Sequence, residues 1–255
     1  GEVIRTMEYP GFITKDFVPF DPLELATETE KICLKGSSRK YTAFYCTGVY
    51  GGISTGYLVG CCLRCVFCWV SFSRDFPYKY GEFYTPEEVF EKLVHNAKKA
   101  RIRKLRISGG EPTLGKEHLL RVLDLVDDTD YFFILETNGI LLGREPDYVR
   151  ALKKYRNLYV RVSIKAGTPD GFEKRTGGRR EFSELPYVAV ETLRKEGLFF
   201  RVASMSDSKV MPQEERKEMV KKLREVGYKD YLEEEICDPY DTSVIRLRKA
   251  GFSIF

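Results

Sequence analysis

From Ile53 onward the chain alternates short apolar runs with amphipathic segments. ISTGYLVG reads as a strand that runs directly into a cysteine-rich loop. TPEEVFEKLVHNAKKA reads as a helix, with Thr85 as N-cap, Pro86 at the first helical position and Glu88 closing a capping box. KLRIS (104–108), YFFILET (131–137), NLYVRVSIK (157–165) and LFFRVAS read as further strands. Between and after them KEHLLRVLDLVDD, PDYVRALKKY, LPYVAVETLRKEG and PQEERKEMVKKLREVG read as helices, the last two stopped at Gly197 and Gly227. Strands alternating with helices predict an α/β fold with a parallel sheet and right-handed crossovers. A closed eight-unit barrel takes about 250 residues and roughly 200 remain here, so five or six units fit. The expected architecture is a partial (β/α)6 TIM-like barrel, open on one side, with its chemistry at the C-terminal ends of the strands.

The expected division is an N-terminal extension over 1–50, the barrel over 51–230 and a tail over 231–255. The extension shows turn signals at Pro10-Gly11 and Asp21-Pro22 and one short helix, roughly Pro22 to Lys31. YDTSVIRLRKAGFSIF in the tail carries at most a final short element. No apolar stretch of about 18 residues occurs, and GEVIRTMEYP has no leader-like pattern, which predicts a soluble, cytoplasmic protein with no membrane partner. The net charge of +4 is too mild to diagnose a nucleic-acid binder. Gln213 is the only glutamine while Lys, Arg and Glu abound, a bias seen in hyperthermophile proteins.

Seven cysteines is an odd number, which excludes a complete disulfide framework, and four of them fall between Cys61 and Cys68. Four thiols inside one loop point to metal binding. Cys61, Cys65 and Cys68 have C-x-x-x-C-x-x-C spacing. Three thiolates ligate three irons of a 4Fe-4S cube and leave the fourth iron open to a second ligand, by the logic that separates catalytic from structural metal sites. A structural zinc, or a closed cluster using Cys62 or Cys237 as fourth ligand, is the alternative. One strand later comes Ser108-Gly109-Gly110-Glu111-Pro112: two glycines that admit a ligand to the backbone, and a carboxylate able to accept from an ammonium group.

These residues resemble the radical S-adenosylmethionine (radical SAM) enzymes. The resemblance rests on the three cysteines with Phe67 before the last, on Gly109-Gly110-Glu111-Pro112, on Glu136-Thr137-Asn138-Gly139, and on Ser163-Ile164-Lys165 ahead of GTPDGFEKRTGG. It covers roughly residues 53 to 205. It implies a partial six-unit barrel holding a 4Fe-4S cluster on Cys61, Cys65 and Cys68. SAM would be chelated to the open iron and cleaved reductively to a 5′-deoxyadenosyl radical that abstracts hydrogen from a substrate. Gly109, Gly110 and Glu111 would hold the methionyl amine, while Thr137, Asn138, Ser163, Lys165 and Arg201 would reach the SAM carboxylate or ribose. An electron donor such as a ferredoxin or flavodoxin is implied as partner. The glycyl-radical activases within the family carry Asp-x-Lys where this chain has Ser163-Ile164-Lys165.

Trp69 is read as an adenine neighbour or a core residue, Cys62 as a packed bystander, and His95 and His118 as structural or exposed. Cys33, Cys46 and Cys237 form no second C-x-x-C pair. Lys174, Arg175, Arg179 and Arg180 follow the SIK strand and suggest a macromolecular substrate, RNA or polypeptide, docking across the open side.

Overall fold

The computed structural model describes residues 8–255; residues 1–7, part of the expected extension and of the segment read for a leader, lie outside the described residues. One nine-stranded sheet organises the chain. β3 (Ile53–Leu58), β5 (Lys104–Ser108), β6 (Phe132–Thr137), β7 (Leu158–Ile164), β8 (Phe200–Ser204) and β9 (Leu232–Glu234) lie side by side in that order, all parallel. β2 (Ser38–Thr47) pairs antiparallel with β3 and carries β1 (Leu34–Lys35) and β4 (Glu82–Tyr84). The path ends at β9 without returning to β1, so the barrel is partial and has an open side.

Alternation along each strand separates two faces. In β7, Val160, Val162 and Ile164 are buried among the helices, while Arg161 and Ser163 take the opposite, luminal face. The helical layer includes α2 (Pro86–Ala100), α3 (Lys116–Asp127), α4 (Ile140–Arg144), α5 (Pro146–Leu152), α7 (Leu185–Lys195) and α8 (Gln213–Glu225). α2 begins with both halves of its capping box in place, Glu88 N donating to Thr85 Oγ1 and Thr85 N to Glu88 Oε1. A second apolar cluster underlies the cysteine loop and joins Cys62, Leu63, Val66, Ile140, Phe172 and Leu247. No helix among the described residues is long and apolar enough to cross a membrane.

Several elements depart from the sequence expectation. Residues 38–47, expected to be irregular, form β2, because Arg39 is sunk into the protein to bond backbone oxygens of Val59 and Leu114. The short helix is α1 (Pro22–Cys33), started by Asp21 Oδ1, which accepts from Leu23 N and Glu24 N. GTPDGFEKRTGG, where no helix was expected, contains α6 (Pro169–Thr176), whereas the final short element expected in the tail forms as α9 (Asp241–Lys249). β9 was hidden in an acidic run with a single apolar residue, and it supplies the sixth parallel strand.

Candidate active site

Two loops at the C-terminal ends of neighbouring strands are fastened together. Glu111 N donates to Gly60 O at 2.9 Å, which holds the double-glycine turn after β5 against the start of the cysteine loop after β3. A Cβ on Gly110 would lie 2.3 Å from Gly60 O, so the close approach requires glycine. Gly109 has φ +89°, a left-handed conformation that favours glycine.

Glu111 is buried, and its carboxylate accepts four hydrogen bonds: from Thr113 N (3.0 Å), Thr113 Oγ1 (2.6 Å), Thr137 Oγ1 (2.8 Å) and Asn138 N (2.7 Å). Three of these bonds fall on Oε2 and one on Oε1, which keeps room for a further donor, and the carboxylate ties the turn to the end of β6. Asn138 Nδ2 reaches on to Cys62 Sγ at 3.5 Å and Cys61 Sγ at 3.8 Å. At the end of β7, Lys165 Nζ donates to Ser163 Oγ at 2.7 Å and lies 5.7 Å from the Phe67 ring centre.

These groups surround one open cavity of about 160 Å³. Cys61, Cys65, Cys68, Gly109, Gly110 and Glu111 line it, together with Thr137, Asn138, Ser163 and Lys165. Cys62 is fully buried in the apolar cluster beneath and lies outside the lining. The neighbouring Cys62 thiol lowers the Cys61 thiol against the effect of burial, and the same contact, with burial, pushes Cys62 up. Burial raises the Cys65 thiol to about 11.

No three His, Cys, Asp or Glu side chains among the described residues are drawn together tightly enough for a single metal ion. A cube of four irons spreads its thiolates further apart than one ion does. Three cysteines around an open cavity, with no fourth cysteine in the lining, therefore fit a cluster with one open position better than they fit a structural zinc.

Arg201 is not brought to this site. It occupies the second position of β8, far from the C-terminal end, where Nη1 donates to Phe200 O and sits 3.8 Å from Asp230. Trp69 lines the cavity but is 48% exposed, which makes it a rim residue and not a core one. The basic residues after β7 do not form a free patch: Arg175 is buried against Glu215, Arg180 pairs with Asp170, and Arg179 lies 3.8 Å from Glu181. Lys174 remains exposed. His118 bonds Tyr41 Oη (2.8 Å) and Ser37 O (2.7 Å) at the far side of the sheet, and His95 is exposed on α2. Cys33, Cys46 and Cys237 lie outside the cavity lining, and all seven thiols are free.

The cavity also takes in Glu136 of the Glu136-Thr137-Asn138-Gly139 match, and Arg74, Arg161, Met205 and Glu235, which were not singled out from sequence. Glu136 bridges Arg106 (2.7 Å) and Arg161 (3.4 Å), and Arg161 reaches Glu233 at 3.0 Å. A signal was present for three of these charges: Arg106, Glu136 and Arg161 each interrupt a strand whose other face is mainly apolar.

An open parallel barrel with a three-thiol loop at its C-terminal face defines a class of metal-cofactor enzyme folds. A model of the radical SAM superfamily matches residues 57–237, and the chain belongs to that superfamily, whose members use a 4Fe-4S cluster and SAM. The GTP 3′,8-cyclase of Pelotomaculum thermopropionicum is 35% identical over 121 residues, 46% of this chain and 35% of that protein. A Methanocaldococcus jannaschii protein with the provisional name glycyl-radical enzyme activating enzyme is 23% identical over 195 residues, 75% of this chain and 76% of its own. Among solved structures, TYW1 with a lysine-pyruvate adduct bound aligns with a TM-score of 0.54 at 16% identity, over 79% of this chain and 73% of that one. Streptococcus suis SuiB bound to the precursor peptide SuiA aligns at 0.53 and 18% identity, over 66% and 35%. The chain spans about a third of the cyclase and of SuiB, and the structural likenesses speak to the fold alone.

Proposed function

We propose that the chain is a radical SAM enzyme acting on a polypeptide. Cys61, Cys65 and Cys68 would hold the 4Fe-4S cluster, with SAM seated over Gly109 and Gly110 between the ends of β6 and β7. When bound, the two groups supply a 5′-deoxyadenosyl radical through one-electron cleavage of the sulfonium, and that radical abstracts hydrogen from the substrate. The observation that carries the reading is that three thiols, the double-glycine turn, Thr137, Asn138, Ser163 and Lys165 line a single cavity.

The remaining work falls to the chain's own residues. Lys165 offers a cation to the SAM carboxylate, with Ser163 Oγ fixing its ammonium. Glu111 acts by position: it holds the turn and the β6 end in register so that backbone groups face the ligand. The apolar cluster under the loop keeps water from the thiols. An external donor such as a ferredoxin or flavodoxin would supply the electron, and a reducing cytoplasm suits seven free thiols.

Polypeptide is preferred over RNA because Arg175, Arg179 and Arg180 are already engaged by carboxylates. The segment that brings Glu235 to the cavity also carries Asp230, Glu233, Glu234, Asp238 and Asp241 without a basic residue among them; arginines from elsewhere pair with the first three and with Glu235, and Asp238 and Asp241, unpaired among the described residues, disfavour phosphate. Glycyl-radical activation is the second reading. The match to the M. jannaschii protein along three quarters of both chains favours it, and Ser163 in place of the activases' Asp weighs against it.

Anaerobic reconstitution followed by electron paramagnetic resonance tests the assignment: the spectrum of the reduced protein changes when SAM is added, and an unchanged spectrum overturns it. Replacing Cys61, Cys65 and Cys68 together with Ala removes iron and 5′-deoxyadenosine formation, whereas Cys62→Ala leaves both. Stimulation of 5′-deoxyadenosine formation by RNA but not by the polypeptide fraction of a cell extract would overturn the substrate class.

A further inference from the structure

The cysteine loop is held by three arginines, one for each cavity-lining cysteine. Arg64 Nη1 donates to Cys61 O at 2.9 Å, Arg74 Nη1 to Cys65 O at 2.8 Å, and Arg246 Nη1, from α9, to Cys68 O at 2.7 Å. All three are nearly inaccessible, at 1%, 2% and 2% exposure. Among the described residues, carboxylates do not balance their charges. Asp75 is the one carboxylate bonded to the set, taking Arg74 at 2.5 Å and Arg246 on its other oxygen, and Arg64 meets no carboxylate among the described residues. Three guanidinium groups against one carboxylate leave two positive charges buried around the loop. The site's other buried carboxylate, Glu111, has its own buried cation beside its turn, since Arg39 bonds Pro112 O and Leu114 O.

Burying uncompensated charge is costly, so a matching anion is expected. Each arginine also keeps one buried nitrogen without a partner among the described residues: Arg64 Nη2, Arg74 Nε and Arg246 Nε. Arg74 itself lines the cavity. A cube bound by three thiolates is an anion and gains a further negative charge on reduction.

We propose that Arg64, Arg74 and Arg246 form a cationic cage that is completed electrostatically by the cluster and sets its reduction potential. They are positioning residues: they fix the three cysteine carbonyls and favour the reduced, more negative state. The inference rests on the cluster assignment above. It goes beyond that assignment because none of the three arginines is a matching motif residue: Arg64 fills an unspecified position between Cys61 and Cys65, Arg74 follows the motif, and Arg246 lies in the tail.

The sign follows from electrostatics, since cluster potentials track net charge and hydrogen bonding around the sulfurs. Arg74→Met removes a positive charge and lowers the potential; Asp75→Asn removes a negative charge and raises it. Arg74→Lys keeps the charge, loses the fork, and stays within threefold of the parent equilibrium. The measurement is a redox titration of the reconstituted protein followed by electron paramagnetic resonance. A tenfold change in the reduction equilibrium, about 59 mV for a one-electron couple, is expected in opposite directions for Arg74→Met and Asp75→Asn. Equal potentials in all four proteins, or shifts of the same sign for the two charge variants, overturn the cage. Should Arg74→Met fold but lose iron while Arg74→Lys keeps it, the cage is supported through assembly. Should either charge variant fail to fold, Arg64→Met, which lies outside the Asp75 pair, must lower the potential or the cage is refuted. A parent protein that takes up no cluster refutes the cluster assignment itself, an outcome distinct from unchanged potentials in a loaded one.

Discussion

Glu111 shows how a residue can be found in sequence while its task stays hidden. Its place after the double glycine is legible from four adjacent letters. Its partners are not, because Thr137 and Asn138 lie 26 and 27 positions away and meet it only when β5 and β6 pair. Glu111→Ala would leave the Thr137 hydroxyl and the amides of Thr113 and Asn138 buried without an acceptor. The expected loss of stability is on the order of 3 kcal/mol, given the strength of hydrogen bonds to a charged group. Urea unfolding of the metal-free protein measures it, with Glu111→Gln falling between Ala and the parent. An unchanged midpoint in the absence of any ligand would remove the tether from Glu111 and leave it a ligand contact only. Gly110 makes a parallel case: its need is steric, and an alanine there must push Gly60 away and open the joint between the two loops.

At the scale of elements, the chain was readable wherever local chemistry decides the structure. The capping box of α2 and the alternation of β5 to β8 lie within short windows, and those elements formed. β2 was unreadable because its stability comes from elsewhere. Arg39 looks like a surface residue until its guanidinium is seen bonding carbonyls of two later loops, and Tyr41 is buried because His118 of α3 awaits its hydroxyl. That joint between β2 and α3 should respond to pH. Burial holds His118 down to about 4, below the ordinary range near 6.5. The folded state therefore takes up the proton less readily than the unfolded one, so stability is complete above pH 6.5 and falls as pH drops toward 4. The effect should reach roughly 2–3 kcal/mol at the acid end. Denaturant unfolding of the metal-free protein between pH 7 and pH 4.5 reads it against His118→Phe, in which this part of the slope disappears. Equal slopes would place the acid sensitivity in other groups.

In the whole molecule two apolar clusters do different work. One lies between the sheet and its helices and holds the barrel; the other lies under the cysteine loop and is closed by α9. The contribution of α9 could not be read from sequence, since Arg246 is 178 positions from Cys68 and its segment offers only weak periodicity. Yet Arg246 bonds the oxygens of Cys68, Val70 and Ser71, and Ser243 and Thr242 add bonds to Cys68 O and Trp69 O. The loop thus depends on α9, while the sheet core contains no residue of 241–255. Removing residues 241–255 should leave far-UV circular dichroism close to native, apart from the lost helix, because the sheet and helices α2 to α8 keep their own core. It should also abolish iron uptake on anaerobic reconstitution, since the carbonyls of Cys68, Val70 and Ser71 lose their donors and Asp75 loses half its pairing. Restoring the segment as a separate peptide should recover part of the iron. Full iron loading in the shortened chain would show that the cysteine loop holds its shape unaided, and collapse of the dichroism spectrum would show that the two clusters are one cooperative unit.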